Sequence, residues 1–210
     1  MAPSGKARAS NATLEGPAHW DKVLDKEFKG ESDRACVILG AALLDSALET
    51  LLRTFLLASS TADDPLFDGA NACLATYSAR IEMAFRLRLI DTVFARSLHL
   101  VRRIRNDFAH NVTGCTFADS AVMSRLTELR RVSGLPENAP SVRKNFPDGP
   151  RGDFQLIVSY LQWLLRSGVE DIATVEPSQC LVGYWPAERK RKRRKLRTAR
   201  NRKGTGGAAP

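Results

Sequence analysis

A chain of 210 residues, 43% hydrophobic and 26% charged, suits one folded domain with tails and leaves little room for more. Its net charge of +9 is local: of the 32 Lys and Arg residues, eleven fall between Arg189 and Lys203 with no acid among them, and the other 21 stand against 23 Asp and Glu. The rest of the chain is therefore close to neutral, so net charge alone gives the folded part no reason to take a nucleic-acid partner.

Residues 1–18, rich in Ala, Ser, Gly and Pro and without hydrophobic periodicity, are expected to be a disordered segment. Trp20, Val23, Leu24 and Phe28 mark a short first helix stopped at Lys29-Gly30. Ser32 is placed to cap a long helix from Asp33 to about Ala58, and the span Ala35 to Leu44 is apolar nearly all round, which predicts a central position in the core. Asp45, Glu49 and Arg53 repeat every four residues and draw one narrow polar stripe along that rod. The stripe is either a plain exposed face or a surface turned toward Arg105.

Turn signals fill Ser59 to Ala75, where Leu66 and Phe67 are the expected anchors on the core. A helix follows from Tyr77 to about Ile90, and Asp91 caps the next, which carries Phe94, Leu98, Val101, Ile104 and Phe108 at spacings of three and four and ends near Asn111 to Gly114. Almost no loop separates these two. Asp119 caps a helix from Ser120 to Val132, halted by Gly134 and Pro136. Four prolines between Pro136 and Pro150 predict a long irregular connection over Glu137 to Gly152. A last helix runs from Phe154 to about Val169. β-branched alternation and hairpin turns are missing, so the expected fold is all-α, a single antiparallel bundle of five to seven helices over residues 19–180, with disordered tails at 1–18 and 181–210.

No run approaches the roughly 18 uninterrupted apolar residues of a membrane span, and Met1-Ala2-Pro3-Ser4-Gly5 opens no apolar signal core. The expectation is a soluble, cytoplasmic protein without a membrane partner. Cys36, Cys73, Cys115 and Cys180 stand far apart, with no Cys-x-x-Cys pair and no histidines at ligand spacing, which predicts reduced, mostly buried thiols, no metal and no cofactor. Phosphate-cradling glycine loops, Gly-x-Ser-x-Gly and His-Glu-x-x-His are absent, and His19 and His99 have no evident partners.

The polar residues Arg105, Asn106, Asp107 and His110 crowd one helix end. One reading is a buried network in which Arg105 pairs with Asp45 or Glu49 while Asn106 and His110 bond at a spacing of four, fixing helix packing. The other reading is phosphate chemistry, with Arg105 and His110 as the working pair.

The successive blocks Asp64-Pro65-Leu66-Phe67-Asp68-Gly69, Tyr77 to Ile90 and Ile104-Arg105-Asn106-Asp107-Phe108-Ala109-His110 resemble those of the mannitol operon repressor family, over about residues 31 to 130. The resemblance implies an all-helical regulatory domain without a DNA-reading helix-turn-helix. The chain departs from the family pattern at Arg86 and Arg88, where an aromatic and a glycine are more typical, and in its basic C-terminus. The hexad Arg105 to His110 also resembles the Arg-x4-His motif of HEPN-type helical ribonucleases, in which arginine and histidine of two subunits meet in a dimer cleft and cleave RNA without metal. That second resemblance implies His110 as the group moving protons and Arg105 as the stabiliser of phosphorane charge. On an ideal helix, however, positions 105 and 110 point about 140° apart, so convergence needs the helix to end before His110 or a partner subunit to complete the site.

Arg189, Lys190, Arg191, Lys192, Arg193, Arg194 and Lys195, followed by Arg197, Arg200, Arg202 and Lys203, repel one another too strongly to enter a core. Such a segment binds polyphosphate by counterion release with little sequence preference. Tyr184 and Trp185 just upstream either stack on bases or pack on the last helix. The sequence reading is thus a non-enzymatic regulator acting through a protein partner, with DNA or RNA held at the tail and a homodimer allowed; the alternative is a metal-independent ribonuclease using Arg105 and His110.

Overall fold

The computed structural model describes Phe28 and residues 30–111, 114–135, 143–172 and 174. The expected tails, the helix around Trp20 to Leu24, the proline-rich residues 136–142, Cys180, Tyr184 and Trp185 lie outside these. Among the described residues the chain forms five helices and no strands: α1 (Asp33–Phe55), α2 (Tyr77–Arg86), α3 (Thr92–His110), α4 (Ser120–Val132) and α5 (Pro150–Asp171).

Local chemistry sets the helix starts. Ser32 Oγ accepts from the Ala35 amide at 3.2 Å, Thr76 Oγ1 from Ala79 at 3.2 Å and Asp91 Oδ1 from Phe94 at 2.7 Å, each satisfying an amide that the first turn leaves without a partner. Asp119 occupies the cap position of α4, but its carboxylate instead accepts from the Thr116 amide at 3.2 Å. The final helix begins earlier than expected. Pro150 stands in its first turn after Gly149, because a proline's missing N–H costs nothing there and its fixed φ suits the helix. Loop chemistry and helix-start chemistry use the same residue, so a proline count over Glu137 to Gly152 misplaces this boundary. In the same way α2 stops at Arg86, four residues short of the expectation, where Arg88 takes φ 60°; no other described non-glycine residue has a positive φ.

α1 is the centre. α5, α3 and α2 all pack on it, and α4 joins α3 to α5. Cys36, Val37, Leu44, Leu48 and Leu52 of α1 are inaccessible to solvent, as are Ile81 of α2, Leu98, Val101, Ile104 and Phe108 of α3, Leu129 of α4 and Phe154, Ile157 and Val158 of α5. Each of the Val, Leu, Ile and Phe side chains among them adds roughly 1.5–3 kcal/mol of hydrophobic stabilisation. Gly40 permits a close approach of α1 to α5, since a Cβ there would lie 3.1 Å from the Phe154 ring. α1 has the length and mean hydropathy, 1.8, of a membrane span, although acids and arginines interrupt it; in this fold that apolarity is core. One expected anchor is exposed, Leu66 (39%), leaving Phe67 to hold its loop; Trp163 of α5 is also exposed (37%) and stacks on Tyr160 with ring centroids 6.2 Å apart.

Candidate functional site

The polar stripe of α1 faces α2 and the connection that precedes it. At its centre lies Arg80, 9% exposed, whose Nη1 meets Asp45 Oδ1 at 2.7 Å, whose Nη2 meets Glu49 Oε2 at 2.7 Å and whose Nε donates to the Leu74 carbonyl at 2.9 Å. The other oxygen of Glu49 takes Arg53 Nε at 2.7 Å. Arg53 continues to Asp68 Oδ1 at 2.8 Å and lies 4.1 Å over the Phe67 ring, so the loop is pinned through both charge and an aromatic face. The Asp64 amide and then Arg53 hold the Asp68 carboxyl below its ordinary range. Each nitrogen of the Arg80 guanidinium already has a protein acceptor, so this cluster ties three elements together and offers a ligand little.

Arg105 stands elsewhere. On α3 the residues Leu98, Val101, Ile104 and Phe108 turn inward; Arg105, although the helical period brings it near that face, is exposed, with Nη1 3.1 Å from Asn106 Oδ1. Among the described residues no ion pair joins it to Asp45 or Glu49, whose carboxylates are engaged by Arg80 and Arg53. Asp107 pairs with Arg125 of α4. α3 stays helical through His110, which is exposed, and Arg34 Nη2 donates to the Asn111 carbonyl at 2.6 Å just beyond it. The structure therefore divides the five residues expected in one polar network: Asp45 and Glu49 meet across Arg80, while Arg105 and Asn106 meet at the surface and His110 sits at the end of their helix. Because the helix is unbroken, Arg105 and His110 of one chain keep their separation of about 140°.

Several polar groups of this region carry weak signals in the sequence. Arg80 belongs to the helix Tyr77–Arg86, whose buried residues also include Ile81 and Ala84; a lone arginine on an apolar face was the available sign. Near Asp45 and Arg102, the Tyr77 hydroxyl is buried without a hydrogen-bond partner, and burial pushes its pKa strongly up. Arg102 Nε is likewise buried and unpartnered. Around Glu128 of α4, Arg96 forms an ion pair, and Arg131 and Arg103 add to the pull that lowers the carboxyl's pKa. His99 is pushed below its ordinary value by burial, then by Arg102 and Arg103.

Cys36 and Cys115 are buried free thiols with raised pKa values, through desolvation first, and Cys73 is free and exposed. Among the described residues no group of three or more His, Cys, Asp and Glu is arranged to hold a metal ion. The cations expected to bind nucleic acid, Arg189 to Lys203, lie outside the described residues.

No protein-family model matches the sequence. The chain is 26% identical over 141 residues to the mannitol operon repressor of Escherichia coli K12, an alignment covering 65% of this chain and 72% of the repressor, and the repressor of Escherichia coli O6:H1 gives the same figures. The chain is similar to the mannitol operon repressors. Its fold agrees: the X-ray structure of the MtlR-HPr complex from Escherichia coli superposes with a TM-score of 0.52 at 23% identity, covering 72% of this chain and 98% of that one. The resemblance carried by the blocks at Asp64, Tyr77 and Ile104 is thus joined by an alignment to those repressors over about two thirds of the chain and by a common all-helical architecture.

Proposed function

We propose that this chain is a non-enzymatic cytoplasmic regulator that works through protein contact, with the cations from Arg189 to Lys203 holding nucleic acid without sequence preference. The observation that carries the reading is the alignment to mannitol operon repressors over 65% of the chain. Support comes from the fold shared with a chain of the MtlR-HPr complex from Escherichia coli, and from the internally satisfied Arg80 cluster, which has the chemistry of architecture. Titrating the purified chain with HPr from its own cell tests the contact: a saturable heat or shift is expected, and none at micromolar concentrations rejects it. For the tail, a full-length chain with its eleven C-terminal cations changed to Gln is expected to lose most salt-sensitive binding; unaltered binding rejects that part.

A second reading, metal-independent RNA cleavage, is favoured by the exposure of Arg105 and His110. A single chain leaves them on different sides of α3, so this reading needs a second copy to bring Arg105 of one against His110 of the other. RNA incubated in EDTA with the wild type, His110→Ala and Arg105→Ala decides it: cleavage lost in both variants supports the enzyme, and no cleavage by any of the three rejects it.

A further inference from the structure

Charge in the folded body is near balance overall but not evenly spread. α3 and α4, which pack on each other, hold seven arginines and two carboxylates, Asp107 and Glu128, whereas the acids of α1 and its following loop surround Arg53 and Arg80. The helical period puts Arg96, His99, Arg103, Asn106 and His110 within an arc of about 80° on one face of α3, over a length of roughly 21 Å. This face is opposite in character to the buried one. The Arg96 side chain is 57% exposed, and Arg103 and His110 are exposed. Across the helix pair, Arg131 extends the same field, so Arg96, Arg103 and Arg131 act together on the carboxylate of Glu128, and the other carboxylate beside the stripe, Glu82 near His99, is paired with Arg86.

We propose that this stripe of α3, with the Arg131 rim of α4, is a docking surface for the phosphodiester backbone of nucleic acid, on the folded body and separate from the C-terminal cations. Three features select this ligand class. The cations are all arginine, whose fixed fork takes two phosphate oxygens at once. The stripe holds only polar and charged side chains, whereas the centre of a protein-protein interface is depleted in charge and enriched in aromatic groups; interfaces with nucleic acid are strongly positive throughout. Finally, duplex DNA carries a charge about every 1.7 Å of axis, so a stripe of this length spans on the order of ten phosphates and finds counter-charges in any register.

The test compares four full-length chains by fluorescence titration across a salt series with duplex DNA and single-stranded RNA: wild type, R96Q/R103Q/R131Q, the chain with its eleven C-terminal cations changed to Gln, and the combination. With about 0.9 per phosphate contact on duplex DNA, the triple variant is expected to reduce the slope of log K against log salt by roughly 2 to 3. The neutralised-tail chain is expected to retain a residual salt-dependent affinity that the combination abolishes, and the nucleic acid retaining it identifies the source of the phosphates. R96K/R103K/R131K, which keeps charge, should recover most of the slope and control for folding. A slope unchanged in the triple variant overturns the stripe, as does a neutralised-tail chain that binds no better than the combination; in that second case the tail reading survives. A drop in the triple variant with no effect of the tail changes supports the stripe and removes the tail. Equal competition by polyglutamate overturns the proposal in favour of an acidic protein.

Discussion

α1 and α3 each carry a charged stripe, and the two stripes have opposite fates. Along α1, Asp45, Glu49 and Arg53 find counter-charges within the fold, in Arg80, in the next turn and in the loop that Asp68 closes. Along α3, Arg103 and Arg105 face solvent, and Arg96 shares Glu128 with two other arginines. Desolvation separates the cases. A guanidinium as enclosed as Arg80 must be matched by acceptors, and once matched it has little left for a ligand; an exposed one keeps its hydration and its availability. Charge becomes an interface only where the fold fails to neutralise it.

The largest way to sharpen this contrast is to strike the enclosed side. Leu44 neighbours Asp45 on α1 and is fully buried, so Leu44→Ala is expected to lower unfolding free energy by roughly 2–5 kcal/mol in urea denaturation, with half-buried Leu43 costing less. A loss under about 1 kcal/mol would put α1 outside the core. Arg80→Ala follows. Removing one partner of a buried pair costs roughly 3–5 kcal/mol, but Asp45 and Glu49 side chains keep 29% and 27% exposure, so about 2–4 kcal/mol is expected. Arg80→Lys should recover only part, because one ammonium cannot serve three acceptors. Adding Asp45→Asn to Arg80→Ala should be less costly than the two single losses summed; full additivity would mean that the pair does not interact.

Periodicity made most of this architecture legible. α4 matches its expected bounds at both ends, because the turn residues before Ser120 and Gly134 after it punctuate a clean apolar pattern. Pairing between helices was another matter. The four-residue repeat of Asp45, Glu49 and Arg53 reveals a stripe but not which neighbour it faces, since that depends on how the loop over residues 56–76 returns α2 to α1. Arg105, conspicuous beside Asn106 and His110, drew attention from Arg80, which reads as an ordinary helix residue until its burial is known. The cationic face of α3 escaped for a related reason: a near-neutral total hides segregation that only the packing of α3 on α4 makes visible.

Between the two stripes, the turn joining α2 to α3 offers a smaller effect of opposite sign. Arg88 sits at φ 60°, in the left-handed region that favours glycine. A non-glycine residue there costs roughly 1–2 kcal/mol, and glycine's greater freedom in the unfolded chain returns part of that, so Arg88→Gly is expected to stabilise by about 1 kcal/mol. Thermal melting checks the sign. Arg88→Ala, which keeps the strain, should not reproduce the gain.

The smallest expected effect reads the open stripe from within. His99 lies on it with its pKa lowered first by burial, then by Arg102 and Arg103, against a weaker opposite pull from Glu82. Its folded pKa being below the unfolded value of about 6.5, the unfolded chain takes up the proton first as pH falls. Stability attributable to this group is therefore intact above that value and declines from there down through the folded pKa. Arg103→Gln removes one repulsive charge and should raise the His99 pKa toward its ordinary value, which an NMR titration of the imidazole measures directly, while leaving stability at neutral pH within about 0.5 kcal/mol. A His99 pKa unmoved by Arg103→Gln would show that solvent already screens this arginine. Screening that complete between neighbours one helical turn apart would also blunt the attraction of the stripe for a phosphate, so this small shift bears on both.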